Sequence, residues 1–539
     1  MNKYLGFVKK RDILVWDMLF GMCLLFSFML AVYSIMTVGR STINSDTATP
    51  LLLMRSQNES GSIFPETWCY ANGSTWFISL ETLIRPFMIF GSSVLARNLC
   101  SVAQIVLFLI GLIVLNKEVT KDKSVFLTGC ITLIGMWGSA EHILYQGAYI
   151  CILAWMFLQI GLLCKISSER KNGVVWFVLL GVLVCYRCVG GIREIGESVV
   201  PMIGAIVILC LLNLNKESVV FWIKRAIPIV IGTVVGFGVN KWVCITHVVN
   251  NSDKNSMMFN SNLNSIGDII FIYLKNVLLD FGNKGDVSLF SVDGFRNLCS
   301  IFLCVMLVFV IPGLQIRRIK EESKEYQLFF IYSMVHSFVI LVMVLFCGEQ
   351  EARYVITVIV LSIAISCHYI KKYWIDTEFA GKYLCIFAFI GIMAIEAVGM
   401  VRDSSGWRDI YNAEIGFVNE LREHNLSKGY GDYWGTYMLE VYSNGDLRTG
   451  AVAVTEDGII PHKWLVDSKV FEPEDTNTFL MLDMDANGLI CDRIDELFGK
   501  PIETFETRWC GYRPVMIYVF DHDIMADKGV LVVNSEEGN

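Results

Sequence analysis

An aspartate, Asp46, follows the first long apolar stretch of the chain and lies among small polar residues in the segment GRSTINSDTATP. A carboxylate can take a proton from an attacking hydroxyl group, which is the role of a general base in group transfer. The sequence therefore makes Asp46 the first candidate catalytic residue. The Ser-Asp-Thr triplet also suits an N-cap for the following helix, and capping preferences favour that alternative about equally.

Three arginines lie near the ends of other apolar stretches. Arg187 and Arg193 occur in YRCVGGIREIGES, and Arg353 occurs in CGEQEARYV. A guanidinium holds a phosphate through a planar fork of N–H donors, so these residues are candidate ligands of an anionic, lipid-linked substrate. The neighbours of Arg353 that we assign to the same substrate site are Glu349, Glu351 and Tyr354.

Simpler roles exist for these charged side chains. An arginine at the start of a membrane helix can extend its head group to the lipid surface, and this alone could account for Arg353. Glu194 and Glu197 follow Arg193 closely, and we expect them to pair with the arginines. Ionisable groups at membrane depth cost about 2.5 to 3.5 kcal/mol each on insertion scales, so each needs a partner, a wet cavity or a function.

Glu141 and His142 form a polar pair in SAEHILYQ, between two further apolar stretches. Glu141 is a second catalytic candidate, and His142 is a candidate for shaping a substrate pocket. The pair could also ligate a divalent cation, although a polar pair in a tight turn is more often solvated or bonded to its own helix. The sequence leaves the metal undecided.

The elements that must position these residues are membrane helices. The chain has 539 residues, of which 54% are hydrophobic and 18% charged, with a mean hydropathy of +0.53. Such a composition predicts a polytopic membrane protein, because one span needs about 20 apolar residues. We expect about 11 spans, near 13–38, 98–115, 124–139, 144–164, 173–190, 198–213, 226–245, 297–313, 327–347, 354–370 and 383–401.

The charges between these spans predict an orientation. With the N-terminus in the cytoplasm, the inner connections are short and basic, as in NKEVTKDK and QIRRIKEESKEY. An odd number of spans then places residues 402–539, called the tail below, outside the cell membrane. The tail holds 26 acidic and 12 basic residues. All the candidate site residues face the outer compartment in this arrangement.

Two outer regions look folded. Residues 50–56 and 76–90, within a segment of about 39–97, are amphipathic and predict helices lying along the membrane surface. The tail predicts a small α/β domain, because a helical pattern in WRDIYNAEIGFVNELREHN precedes short β-rich runs such as AVAVT, TFLMLDMD, VMIYVFD and GVLVV. The stretch IGDIIFIYLKNVLLDFG predicts either another surface helix or a short extra span. We therefore predict a membrane module over 1–401 and an outer domain over 402–539.

Several short motifs carry a resemblance to a known family. They are the early acid in INSD, the segment FMIFGSSVLARNLCS with Phe90, Gly91, Ser92, Ser93, Ala96 and Arg97, the Arg353-Tyr354 pair, and the tail phrase GYGDYWGTYMLEVYS. The chain resembles the GT-C superfamily of membrane glycosyltransferases, and within it the protein O-mannosyltransferase and aminoarabinose transferase branch.

This resemblance implies a fold, a donor and a reaction. The donor would be a sugar on a polyprenyl phosphate, and the acceptor would be a hydroxyl of an extracytoplasmic glycan, lipid or protein. Transfer would invert the sugar carbon, with Asp46 as the catalytic acid of the first outer loop and with Arg353 and Arg193 on the lipid phosphate. Thr47 stands where members often carry a second acid, so Glu141 is the expected helper.

Other functions remain open alternatives. A transporter or flippase of a lipid-linked glycan would share the membrane helices, but such proteins commonly show repeated halves and charge at mid-membrane. A glycan polymerase or ligase would share the outer arginines, and an inactive member would present its tail as a binding module. Nucleic-acid binding is not expected from a chain with net charge −8.

Overall fold

The computed structural model describes residues 2–73, 84–168, 173–212, 215–250, 266–283, 285, 287–346, 351–376, 381–484, 488–509 and 513–531. Contacts divide the chain into two compact units. Unit 1 comprises Met1–Ile35, Ser101–Lys241 and Ser252–Ser404, and unit 2 comprises Met36–Cys100, Trp242–Asn251 and Ser405–Asn539. The predicted boundary after residue 401 stays a prediction. The contacts group the segment 36–100 with most of the tail.

The chain is a multi-pass membrane protein. Within the described residues, nine helices are long and apolar enough to cross a membrane: Leu14–Ser41, Ser93–Thr120, Ala148–Ser168, Ile192–Leu212, Lys216–Thr246, Val292–Glu321, Lys324–Val344, Ala352–Ile375 and Lys382–Glu423. Two shorter apolar helices are Val125–Gly135 and Gly173–Cys188. Each of the 11 predicted spans therefore coincides with an apolar helix.

The α-helices have defined limits within these apolar segments and outside them. They are Asn2–Ser41, Ser45–Ser60, Ser93–Leu115, Val125–Cys130, Ala148–Ser168, Gly173–Cys188, Ile192–Glu194, Val200–Leu212, Lys216–Thr246, Ile266–Asp280, Val292–Cys304, Ile311–Arg318, Lys324–Phe346, Ile356–Tyr369, Lys382–Asp403, Trp407–Glu423, Tyr433–Tyr442, Gly488–Cys491 and Ile494–Phe498. The helix Ile266–Asp280, at 15 residues, is shorter than a membrane span.

Wider π-helical turns interrupt several helices of unit 1. Glu141–Tyr145 and Ile195–Val199 are two such turns, and both carry residues that the sequence analysis selected. A π-helical turn changes the direction in which side chains leave the helix, and such turns occur frequently at functional sites.

Several buried charged side chains of unit 1 are paired. The Arg296 side chain is only 3% exposed, and its Nε donates to Glu396 Oε2 at 2.7 Å. A second guanidinium nitrogen donates to Asp403 Oδ2 at 2.9 Å. These bonds join the helices Val292–Cys304 and Lys382–Asp403, because a buried ionic group needs a partner of opposite charge.

Unit 2 contains two sheets. The strands are β1 Trp68–Ala71, β2 Val249–Asn250, β3 Lys428–Gly431, β4 Arg448–Thr455, β5 Gly458–Pro461, β6 Val466–Asp467, β7 Thr478–Asp483, β8 Glu503–Trp509 and β9 Arg513–Phe520. The larger sheet has the order β5-β4-β3-β7-β9-β8, with β3 parallel to both of its neighbours. The smaller sheet has the order β2-β1-β6. The tail prediction of a small α/β fold is thus confirmed. In GVLVV, of which residues 529–531 are described, Val530 forms an isolated bridge with Ile459.

The helix Ser45–Ser60 is buried in the core of unit 2. Leu51, Leu53 and Met54 are at most 1% exposed, and the helix packs against the helix Tyr433–Tyr442 and strand β6. The prediction that 50–56 lies along the membrane surface was therefore wrong. Its apolar face contacts protein, and an amphipathic pattern alone cannot distinguish a protein partner from a lipid surface. Of the other predicted surface helix, residues 84–90 are described, and Arg85–Phe90 forms a short 3-10 helix with exposed apolar side chains.

Candidate functional site

Arg193 and Tyr149 form the centre of a polar cluster in unit 1. Arg193 Nε donates to Glu197 Oε1 at 2.7 Å, and a terminal nitrogen donates to the Tyr149 hydroxyl at 3.0 Å. The Arg193 side chain is 41% exposed, whereas Tyr149 is buried. The guanidinium is therefore held by two hydrogen bonds while part of the side chain remains exposed.

Arg353 and Tyr354 lie beside Arg193. The Arg193 Cζ is 5.5 Å from the centre of the Tyr354 ring, and the Arg353 Cζ is 5.4 Å from the same ring. Both guanidinium groups are thus within cation–π distance of one aromatic face. The geometry brings together three of the predicted substrate residues, and we call Tyr149, Arg193, Arg353 and Tyr354 the arginine–tyrosine cluster.

The structure describes one of the two acids predicted near Arg353. Glu351 is exposed, and its carboxylate pairs with Arg353 Nε at 2.5 Å. Its role at the substrate site stays a prediction. Glu349 lies outside the described residues.

Arg187 lies deeper, next to the acids of the same region. It is buried and pairs with Glu194, while Glu197 pairs with Arg193. The expectation that these two acids pair with the arginines is confirmed. Among the described residues, Arg187 Nε and Glu197 Oε2 are buried atoms without a hydrogen-bond partner. Such atoms in a native structure call for a bound group or water.

His336 supports this cluster from the neighbouring helix Lys324–Phe346. Its Nδ1 faces the Glu197 backbone carbonyl at 2.9 Å, so Nδ1 donates, and its Nε2 faces the Thr357 hydroxyl at 2.9 Å. These partners are consistent with a neutral ring whose tautomer is fixed by the carbonyl. His336 was missed in the sequence because it lies in the middle of an apolar stretch.

Glu141 and His142 lie at the edge of the same region. The His142 ring is 5.9 Å from the Tyr149 ring, and its Nδ1 is 3.4 Å from Gln146 Oε1. Tyr149 therefore contacts both His142 and Arg193. Glu141 is exposed at the start of its π-helical turn. Tyr149 was not predicted from the sequence, because a single tyrosine in the apolar run AYICILAWMF does not indicate a functional role.

Asp46 belongs to unit 2, where it lies in the first turn of the helix Ser45–Ser60. The N-cap is Asn44, whose side chain accepts from the Thr47 backbone, and the Thr47 hydroxyl accepts from the Asn44 backbone. The alternative in which Asp46 caps this helix was therefore wrong, because the capping residue comes two positions earlier. An acidic group in the first turn still suits the positive end of the helix dipole.

The Asp46 carboxylate is held by a residue of the tail. The Tyr433 hydroxyl donates to Asp46 Oδ1 at 2.7 Å, and both groups are half-buried. Burial, and then the negative charge of Asp46, raises the pKa of Tyr433. The phenol therefore stays protonated and continues to donate over the physiological pH range.

The FG-Ser-Ser segment is a packing element of unit 2. The Ser93 backbone N–H donates to Asn444 Oδ1 at 2.9 Å, and Arg97 is buried with its guanidinium donating to the Gly39 carbonyl at 3.3 Å. These contacts join the segment before the second span to the tail and to the end of the first helix. A structural role accounts for the residue types of this motif.

No metal centre is evident in the part of the chain that the structure describes, where no group of three or more His, Cys, Asp or Glu side chains is placed to hold an ion. Glu141 and His142 do not form such a group there. A divalent cation at this position stays a prediction.

The membrane helices and the α/β region of the tail have a GT-C-like fold, as the sequence resemblance implied. The chain is similar in structure to ArnT from Cupriavidus metallidurans, solved bound to undecaprenyl phosphate, with a TM-score of 0.57. The two share 10% sequence identity, and the match covers 93% of this chain and 97% of that one. The sequence itself matches no family model and no curated protein.

Proposed function

We propose that this protein is an inverting membrane glycosyltransferase that moves a sugar from a polyprenyl phosphate to an acceptor hydroxyl on the outer face of the cell membrane. The acceptor would belong to an extracytoplasmic glycan, lipid or protein. The N-terminus would lie in the cytoplasm and the tail outside, as the basic inner connections favour.

The arginine–tyrosine cluster is the observation that carries this proposal. It presents two guanidinium groups around one aromatic ring, which suits the phosphate of a lipid-linked donor. The likeness in fold to ArnT, a protein solved with undecaprenyl phosphate bound, supports the same class of ligand.

The residues divide the reaction between them. Arg193 and Arg353 would hold the phosphate and stabilise the negative charge that develops on it as the bond to the sugar breaks. Asp46 would accept the proton of the acceptor hydroxyl while that oxygen attacks the sugar carbon. Polyprenyl phosphate would leave from the opposite side, which inverts the carbon. Glu141 and His142 would line the acceptor side of the site.

A transfer assay tests the proposed chemistry. The full chain, reconstituted in lipid nanodiscs, is incubated with a radiolabelled polyprenyl-phosphate hexose and delipidated outer-surface glycan from the source cells. We expect label in the glycan with the wild type and a loss of about 100-fold or more with Asp46→Asn, as for removal of a general base. Asp475→Asn, an exposed carboxylate of the tail, is the matched control and should transfer normally.

Two outcomes would overturn this function. Equal transfer by Asp46→Asn and the wild type would remove Asp46 as the base. Movement of the labelled lipid across a proteoliposome membrane, without cleavage of the sugar–phosphate bond, would favour the flippase alternative instead.

A further inference from the structure

Tyr433 opens a helix whose position is fixed by the larger sheet of unit 2. Strand β3 lies between β4 and β7, and the chain turns at Asp432 directly into the helix Tyr433–Tyr442. The Asp432 side chain caps that helix by accepting from the backbone N–H of Trp434 and of Gly435, at 2.8 and 3.1 Å. Sheet and cap together leave the first residue of the helix little freedom.

Tyr433 contacts the start of the helix Ser45–Ser60 through both its side chain and its backbone. Its hydroxyl donates to Asp46 Oδ1 at 2.7 Å, and its backbone carbonyl accepts from the Ser45 hydroxyl. The two contacts are to neighbouring residues, Ser45 and Asp46. A two-point contact of this kind fixes the distance between the phenol and the carboxylate as well as the angle.

We infer that Tyr433 is a positioning residue that aims the Asp46 carboxylate at the acceptor hydroxyl, so that the tail takes part in catalysis. The inference rests on the proposed function. A hydrogen bond to Oδ1 restricts the rotation of the carboxylate.

The variant Tyr433→Phe removes the hydroxyl and keeps the ring. The matched control is Tyr442→Phe, because Tyr442 belongs to the same helix and its hydroxyl donates to the Arg40 carbonyl at 2.8 Å, a bond of similar length that does not involve Asp46. Both variants lose one phenol hydrogen bond inside unit 2. A merely structural effect should therefore be similar in the two proteins.

The readout is the transfer assay, carried out with varied donor. For Tyr433→Phe we expect kcat to fall by roughly 10- to 100-fold, as for a misplaced catalytic group, with KM for the donor unchanged. Tyr442→Phe should leave both kcat and KM near those of the wild type.

The outcomes separate this inference from the function on which it rests. If Asp46→Asn abolishes transfer while Tyr433→Phe and Tyr442→Phe have the same kcat, Tyr433 does not position the base and the proposed function stands. If the wild type transfers no sugar, both fall. Should Tyr433→Phe not accumulate as folded protein, fluorotyrosine at position 433 keeps the shape and strengthens the donor. The kcat must then differ from that of the wild type with KM for the donor unchanged, and an unchanged kcat would overturn the inference.

Discussion

At the residue scale, the guanidinium of Arg353 should be irreplaceable by an ammonium group. Lysine keeps the charge but lacks the planar fork that grips two phosphate oxygens and packs on an aromatic face. For Arg353→Lys we expect the KM for a polyprenyl-phosphate sugar to rise by about tenfold or more, with a smaller change in kcat. The exposed Arg317, changed to lysine, is the control and should leave KM unaltered. An unchanged KM in both variants would remove Arg353 from the phosphate site.

Glu440 provides a pH-dependent test of unit 2. Burial raises its pKa to about 6, while the Thr449 backbone N–H and Arg55 act in the opposite direction. Because the folded pKa lies above the unfolded one, the native state binds the extra proton, and this contribution to stability is lost as pH rises through about 6. The loss is on the order of 2 kcal/mol.

Glu440→Gln removes this titration. Protection from hydrogen exchange is measured in the segment 433–442 of the full chain. The difference in protection between the variant and the wild type should increase in favour of the variant as the pH rises from 4.5 to 7.5. Glu423→Gln makes the same chemical change at an exposed position and should show no such trend. If the difference between Glu440→Gln and the wild type does not change with pH, the Glu440 carboxylate is not a buried, destabilising charge.

Candidate site residues could be selected from the sequence, but their partners could not. Arg193, Arg353 and Tyr354 were selected because charge near an apolar stretch is rare, and the structure places them together. Tyr149 and Tyr433 were not selected. A tyrosine inside an apolar or aromatic run has no distinguishing pattern, and its role follows only from a contact with a residue far away in the chain.

At the scale of elements, the Arg296–Glu396 bond between two membrane helices should be a major source of stability. Removing one partner of a buried pair leaves an uncompensated charge and typically costs about 3 to 5 kcal/mol. We therefore expect Glu396→Ala to lower the unfolding temperature of the full chain in detergent by several degrees or more. Arg296→Met combined with Glu396→Leu should recover much of the loss.

The control for this prediction is the exposed pair of Arg318 and Glu321, whose side chains are 45% and 58% exposed. Glu321→Ala should change the unfolding temperature little, because exposed pairs contribute about 0 to 1 kcal/mol. If Glu396→Ala and Glu321→Ala have the same unfolding temperature, the buried pair does not stabilise the packing of the two helices.

Helices and strands could be predicted from the sequence where a single residue property, such as hydrophobicity or β-propensity, marks the element. Long apolar runs gave the spans, and alternating short β-rich runs gave strands β4, β7 and β9. A helix was predicted over 50–56, within the observed helix Ser45–Ser60, but its apolar face was expected to contact lipid. An apolar stripe reports that a face will be buried and does not report against what, since the tail that covers it comes almost 400 residues later.

At the scale of the whole molecule, the predicted orientation can be tested with a reporter. The 11 spans that the sequence predicts, an odd number, would place the tail outside if the N-terminus is cytoplasmic. An alkaline phosphatase fused after the tail should therefore be active, and a green fluorescent protein at the same position should be dark. The opposite pattern would place the acidic tail in the cytoplasm and would exclude an outer-face reaction that uses Asp46.

The proposed reaction consumes a lipid-linked sugar outside the membrane with Asp46 as the base. Lipid-linked sugars and surface glycans of a deletion strain, profiled together by mass spectrometry, test this claim most directly. We predict that one polyprenyl-phosphate sugar accumulates while one surface decoration disappears. The wild-type gene and the Asp475→Asn gene should restore both to normal, and the Asp46→Asn gene should restore neither. Full restoration by Asp46→Asn, or no change in either pool after deletion, would contradict it.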